Sequence, residues 1–289
     1  MIRRVTLVVI GCLAAVLLAG TEAAGAVDLQ YKFKPGEVVR HKIVVDMDVA
    51  LAISAPNAPQ IPPMHIKVVG FVKQKTNRVL PDGNAEVTDT VESMTMTIGG
   101  ETRKLPLEKV PPITGIVSRF GPANPLASAG GNGSALSTMP LGNFGMTQYI
   151  LLPGQALNIG DYWTDTVNLP LGANIQQRST LVSEKAALGR YSVAVIKQDL
   201  SGDIDVPFSQ LAALAGQMPG VQQIPFDGNL KALMVGGMNS YFSAEKGRVI
   251  RTEGTMDMQM DADVKDASAS GKVAVRAHMN FSVNVMPPK

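Results

Sequence analysis

The sequence predicts a mainly β protein: antiparallel, curved sheets forming a half-barrel or clam of two related units, with one or two short helices. Three observations carry this expectation. Apolar and polar residues alternate over ten or more positions in several segments, turn-forming glycines separate those segments, and helical caps and periodicity are scarce. Period-two alternation sends successive side chains to opposite faces of a strand, whereas a helix would smear them around its circumference. One apolar and one polar face per strand is the antiparallel pattern, because parallel strands are covered on both sides.

The first such segment is 43–53. Ile43, Val45, Met47, Val49, Leu51 and Ile53 share one face, and Asp46 and Asp48 lie on the other. Strands near 64–80 and 85–98 follow, joined by Pro81-Asp82-Gly83-Asn84. In 254–264, Met256, Met258, Met260, Ala262 and Val264 oppose Asp257, Gln259, Asp261 and Asp263. In 272–286, Val273, Val275, Ala277, Met279, Phe281, Val283 and Val285 oppose Arg276, His278 and Asn280. Glu245-Lys246-Gly247-Arg248 links a strand at 238–244 to 249–264, and Asp266–Gly271 links that strand to the last, so the C-terminus reads as a meander. Strands this long exceed the usual length of roughly five or six residues, and length brings twist and curvature.

Two helices are expected. Ser209 to Gly216 reads as a short capped helix with Leu211, Leu214 and Ala215 on one face. A second spans 228–235, with Asp227 as N-cap, Leu230, Leu233 and Met234 on one face and Gly236-Gly237 as the stop. Both are expected to lie across the opening of the curved sheet as a plug or lid.

A short repeat suggests how the chain is divided. Tyr31-Lys-Phe-Lys-Pro35-Gly36-Glu37 is echoed by Tyr149-Ile-Leu-Leu-Pro153-Gly154-Gln155, and Pro then Gly suits the centre of a type II turn. Each copy opens a β unit, at 27–100 and 149–289. Between them lies a loop or linker at 101–148, rich in Gly and Pro, in which Arg119 is the only charge from 119 onward.

Residues 1–26 read as an export leader. Arg3 and Arg4 precede an apolar run from Val5 to Ala19, too short to span a bilayer comfortably, and Ala24-Gly25-Ala26 offers a small-x-small cleavage site. Cleavage after Ala26 places the protein in the periplasm or outside the cell. The Val9-Ile10-Gly11-Cys12 stretch resembles a lipobox, but acylation at Cys12 would leave apolar leader residues on the mature chain. Removing the leader takes away the only cysteine and leaves 24 basic and 23 acidic residues. That balance offers no field for nucleic acid or an anionic membrane. The absence of cysteine leaves no disulfide or thiolate site. No transmembrane segment is expected in the mature chain.

No catalytic motif is present, so an enzyme is not expected, nor is any cofactor or metal. His41, His65 and His278 are far apart in sequence and read as solvated strand histidines. Ser243-Ala-Glu-Lys246 matches Ser-x-x-Lys but crosses a hairpin turn and lacks its companion elements. Asp257, Asp261, Asp263 and Asp266, and likewise Asp199, Asp203 and Asp205, lack the glycine and bidentate Glu of a calcium loop.

Methionine is the compositional oddity: 15 in the chain, against 5% aromatic residues. Flexible thioethers fill cores, and they also suit adaptable binding surfaces. A Cu(I) site on Met256, Met258 and Met260 is disfavoured, because alternate side chains on a strand lie about 6.6 Å apart. The expected function is therefore a carrier or binder of a lipid, acyl chain or hydrophobic peptide. Met47, Met256, Met258, Met260, Met279 and Phe281 would line one concave face. The alternative is a structural or interaction module of the envelope with a filled core.

The stretch Phe33-Lys34-Pro35-Gly36-Glu37 just after the leader, with a mid-chain Pro153-Gly154 followed by Gly160-Asp161-Tyr162-Trp163, resembles a loose set of uncharacterised secreted bacterial β-rich proteins. That resemblance implies a layout with a closing meander and no particular activity or site. At the level of fold alone, a leader followed by long curved strands is similar to half-barrel envelope carriers of lipids and lipoproteins.

Overall fold

A computed structural model describes residues 26–54, 60–107, 111–121, 149–168, 174–207, 229–266 and 269–287. They form eleven strands: β1 (Val38–Ser54), β2 (Met64–Val79), β3 (Ala85–Ile98), β4 (Glu101–Lys104), β5 (Ile113–Val117), β6 (Tyr162–Asn168), β7 (Asn174–Leu188), β8 (Tyr191–Pro207), β9 (Asn229–Ser243), β10 (Arg248–Asp266) and β11 (Ala269–Val285). All belong to one open antiparallel sheet in the order β4-β3-β2-β1-β11-β10-β9-β8-β7-β6, and β5 shares the outer edge of β3 with β4. Paired strands are neighbours in sequence except at two places, the β3–β5 pair at one edge and a central one. The first and last long strands, β1 and β11, pair in the middle of the sheet. The segments expected to be separate units thus share one continuous hydrogen-bonded layer.

The strands expected from alternation are present, as are the turns at 81–84 and 245–248. Gly83 and Gly247 adopt positive φ in the β2–β3 and β9–β10 turns. Gly36 and Gly154 both take the positive φ (77° and 71°) that the second position of a type II turn requires, and Glu37 N–H donates to the Lys34 carbonyl to close the first turn. Two short strands, β4 and β5, occur inside the segment expected to be a linker.

Two expectations are corrected. The segment 228–235 is not a helix, since Asn229 onward is the start of β9. Leu230, Leu233 and Met234 fit helical spacing, but Leu230, Ala232 and Met234 also alternate. Pairing on both sides, with Val206 and Ala262 flanking Leu230, decides in favour of the strand. The glycines read as its stop, Gly236 and Gly237, lie mid-strand. Gly271, read as a turn residue, pairs with Val264 inside the β10–β11 ladder, because Asp266 already faces Ala269. No helix occurs among the described residues, and 209–216 lies outside them.

Alternation gives the sheet an apolar face and a wet one. On the wet face, charges pair across strands, Arg40 with Glu92 at 3.0 Å and Arg78 with Glu86 at 2.8 Å, and along β8, Lys197 with Asp199 at 3.1 Å. On the apolar face, two stretches of non-strand chain are laid over β7–β10 at the end that carries the β9–β10 turn. Leu29, Tyr31, Ile150, Leu152 and Leu157 pack there on Leu181, Ala194, Ile196, Phe242 and Val249. These stretches contain the two matched Tyr-x3-Pro-Gly motifs, and they pack against each other. The Tyr31 and Tyr149 rings meet edge to face at 5.3 Å, and Ile150 N–H donates to the Tyr31 hydroxyl at 2.7 Å. Val27 exchanges two backbone hydrogen bonds with Leu157, of 2.8 and 2.9 Å. Lys32 N–H donates to the Gly247 carbonyl, and a Cβ on Gly247 would run into Lys32, so this turn needs glycine for room as well as for φ. We call this the closed end.

Candidate functional site: the methionine-lined face

Cross-strand register decides which apolar side chains share a rung. Starting near the closed end, the first rung reads Leu181–Ile196–Ser240–Thr252–Val283–Ile43–Gly70–Met94. The next reads Trp163–Ser179–Gln198–Met238–Gly254–Phe281–Val45–Val68–Met96. The third contains Gln177–Leu200–Gly236–Met256–Met279–Met47–Ile66. Three of the expected site residues, Met47, Met279 and Met256, therefore stand side by side on adjacent strands, with Phe281 one rung nearer the closed end. Met258 lies one rung further out, between Met234 and Ala277. Met260 lies beyond that, between Ala232 and Val275. All six expected residues face the same side, spread over four rungs of one surface.

Burial along this surface varies from strand to strand. Val45, Phe281 and Met279 are 2%, 6% and 8% exposed and belong to a core cluster with Ile43, Val68 and Val283. Met47, Met256, Met258, Met260, Val49 and Leu51 are only half-buried. On the same far rungs Met234, Ala232 and Ala262 are each 6% exposed and Ala277 is 7% exposed, so buried and half-buried side chains lie side by side there.

The sheet creases at β9–β10. A Cβ on Gly236 would come within 2.8 Å of the Thr255 carbonyl oxygen, and one on Gly254 within 2.6 Å of Met238 Cβ and closer still to the Gly237 carbonyl. Inward-pointing substituents meet the backbone of the next strand only where the sheet bends sharply toward the apolar side. Glycine is the residue that permits such a bend.

Sequence reasoning missed two polar features of this face. The first is His41, expected to be solvated but in fact 5% exposed on the apolar side. The signal was available, since His41 has the parity of Ile43 and Val45. Burial, and secondarily the nearby Arg248, pushes its pKa down to about 4. Arg248 itself is held by Glu37 at 2.7 Å. His65 and His278 are on the wet face as expected, within 2.9 Å of Asp48 and 2.7 Å of Asp257 respectively. Hydrogen bonding to Asp48, helped by Asp46, raises the pKa of His65.

The second missed feature is a corner of buried, uncharged polar side chains on β7–β10: Gln177, Ser179, Gln198, Ser240 and Thr252, all 7% exposed or less. Ser240 Oγ donates to Gln198 Oε1 at 2.7 Å and lies 3.2 Å from Thr252 Oγ1, and Gln177 Nε2 donates to Ser179 Oγ at 3.1 Å.

The wet face holds two shallow depressions. One of about 530 Å³ lies over Gly237, Thr255 and Asn280, and one of about 400 Å³ lies between Leu233, Val235, Asp257, Arg276 and His278. In the second, His278 pairs with Asp257 at 2.7 Å, and Arg276 and Asp48 also line it. Among the described residues, no group of three or more His, Cys, Asp or Glu is placed to hold a metal ion.

No protein family and no curated protein matches this chain. Among solved structures it is similar to DynF from the dynemicin biosynthesis pathway of Micromonospora chersina. That match covers 93% of this chain and 92% of DynF at 11% identity, with a TM-score of 0.24. A likeness of that size carries no argument about fold or function.

Proposed function

We propose that this is a non-catalytic protein of the cell envelope that binds or carries an apolar ligand on the methionine-rich face of a sheet curved into a half-barrel. The observation that carries the reading is one continuous apolar face on which several methionines are only half-buried. Its closed end is packed by 27–33 and 149–157, and its far end leaves Met256, Met258, Met260 and Leu51 half-exposed. Exposed apolar surface on this scale costs free energy unless something covers it, and methionine is the side chain best suited to adapt to a guest. The glycine crease at β9–β10 supports the curvature. The paired Tyr-x3-Pro-Gly segments support two related units sharing one sheet. Among the described residues Val27, which follows the expected cleavage site, is bridged to Leu157.

A second reading, a structural module with a filled core, is favoured by the near-complete burial of Met279 and Phe281. Met258→Asp and Met279→Asp separate the two. On the carrier reading, Met258→Asp retains a cooperative melt and loses uptake of a fluorescent fatty-acid probe. Met279→Asp, at a buried site, loses several kcal/mol of stability. Wild-type protein that takes up no apolar probe, with both variants unfolded, leaves only the filled-core module.

A further inference from the structure

We propose that the methionine-lined face holds a site for a soft monovalent metal ion, Cu(I), bound by the thioether sulfurs of Met47, Met279 and Met256. These three stand side by side on the adjacent strands β1, β11 and β10. The site lies on the face described above, but it does not depend on an apolar ligand being carried there.

Placement is the first argument. Along one strand, the methionines at 256, 258 and 260 lie too far apart to share an ion, about 6.6 Å from one to the next. A rung removes that obstacle. Neighbouring strands are spaced by about 4.8 Å, so Met47 and Met256 are about 9.6 Å apart with Met279 midway between them. Methionine is unbranched and turns about three side-chain bonds, so the two outer sulfurs can lean over the central one. Met47, Met256 and also Met238 pack against the core cluster to which Met279 belongs. The crease brings Met238 over Gly254, two residues from Met256, where it offers a fourth thioether.

Donor chemistry is the second. From the rung of Phe281 to that of Val275, the side chains that β1, β9, β10 and β11 present to this face include no imidazole, carboxylate or amide. Ions that require nitrogen or oxygen ligands find none there, whereas thioethers select Cu(I). The cost of taking an ion out of water rises with the square of its charge, so an apolar face accepts a monovalent ion far more readily than a divalent one. A thioether also has no proton to give up, unlike a cysteine or histidine ligand.

Access is the third. Met47 and Met256 are half-buried and Met279 is 8% exposed. The ion is met by the two outer sulfurs and closed onto the third. No preformed cavity is needed, because the flexible ligands themselves enclose it.

Leucine nearly matches methionine in volume and is as apolar, but it has no sulfur, so Met→Leu variants separate a ligand from a core filler. The test titrates the protein calorimetrically, without oxygen, with Cu(I) supplied as its acetonitrile complex at pH 7.5 and 5.5. Wild type is expected to take up one Cu(I) per chain with the same affinity at both pH values, and X-ray absorption is expected to show only sulfur neighbours from the protein. Met256→Leu and Met47→Leu, each verified as folded by its melt, are expected to weaken binding by about tenfold or more. Met260→Leu, two rungs away, is expected to leave it unchanged. If one of the first two variants does not fold, the other is read alone; if neither folds, Met279→Leu takes their place. Wild type that binds no Cu(I) overturns the assignment. So do equal losses from Met260→Leu and Met256→Leu, which would mean a diffuse thioether surface. Protein nitrogen or oxygen neighbours at the metal, or binding that collapses at pH 5.5, also overturn it, since those are the marks of an ion held by His65 or His278 on the wet face. Uptake of a fluorescent fatty-acid probe, measured on the same variants, judges the carrier reading separately, because leucine keeps the face apolar.

Discussion

His41 carries its imidazole into the core on the same side as Ile43 and Val45, and that placement ties stability to pH. Its ordinary pKa of 6.5 falls to about 4 in the folded protein, so between those values the unfolded chain binds more protons than the folded one. The contribution of the neutral ring is fully present above pH 6.5, drains away as pH falls toward 4, and is gone below that. The whole window is worth about 3 kcal/mol at most. His65 works in the opposite direction. Its pKa is raised, so its pairing with Asp48 and Asp46 stabilises the fold below the ordinary histidine range and fades as pH climbs through the raised value. Because His65 is exposed and screened by solvent, the buried ring dominates. Urea midpoints of wild type should therefore fall between pH 7.5 and pH 4.5, and His41→Gln should flatten that fall by a substantial fraction while His65→Gln steepens it slightly. A His41→Gln variant with the wild-type pH slope would show that the imidazole is not held neutral in the core.

At the scale of elements, the sheet was legible where the binary pattern was clean. Segments 43–53, 254–264 and 272–286 alternate without interruption and appear as β1, β10 and β11. Strands β7 and β8 were not legible in the same way. Gln177, Ser179 and Gln198 put polar residues on the inward side, while Val182 lies 50% exposed, so the two faces read alike in the sequence. The residues that hid these strands are the buried polar side chains Gln177, Ser179 and Gln198. In β9, alternation competed with helical spacing, and only the partners on both sides decided between them. The β9–β10 crease predicts a sharp contrast between two of its glycines, Gly254 opposite Met238 and Gly237 opposite Thr255. Gly254→Ala forces a methyl against Met238 Cβ and the Gly237 carbonyl, and should cost about 2–4 kcal/mol. Gly237→Ala points to the wet side, with nothing nearer than 3.8 Å, and should cost about 1 kcal/mol or less. Denaturation of the two variants side by side checks this, and equal costs would mean that the sheet is not bent at this point.

For the whole molecule, the decisive contact is the one that local reading could not supply. Hairpins follow from turns, but the pairing of β1 with β11 joins residues more than two hundred positions apart, from His41 opposite Val285 to Ser54 opposite Lys272. It places the two ends of the strand sequence at the centre of the sheet and leaves β6 and the short β4 and β5 as its edges. The order is that of a meander closed on itself through its termini, so the interior of the chain, not its ends, supplies the rims. Closing so long a loop before its contacts form is slow, and folding should be correspondingly slow for a chain of this size. The same seam makes the fold tolerant of a cut elsewhere. With a protease site inserted between Gly130 and Gly131, cleavage yields one fragment carrying β1 to β5 and another carrying β6 to β11. Fourteen register pairs of the β1–β11 ladder, together with the packing of Tyr31 on Ile150, Tyr149 and Phe242, should hold the two together without any covalent link. The cleaved protein should elute from a sizing column as one species at the intact volume and separate only in denaturant. Val45→Asp, in the middle of the seam, should release the fragments after cleavage, because it buries an unpaired carboxylate between Val68 and Phe281. Fragments that part under native conditions in the wild-type background would mean that the two halves are independent sheets, with the central pairing of first and last strands absent in solution.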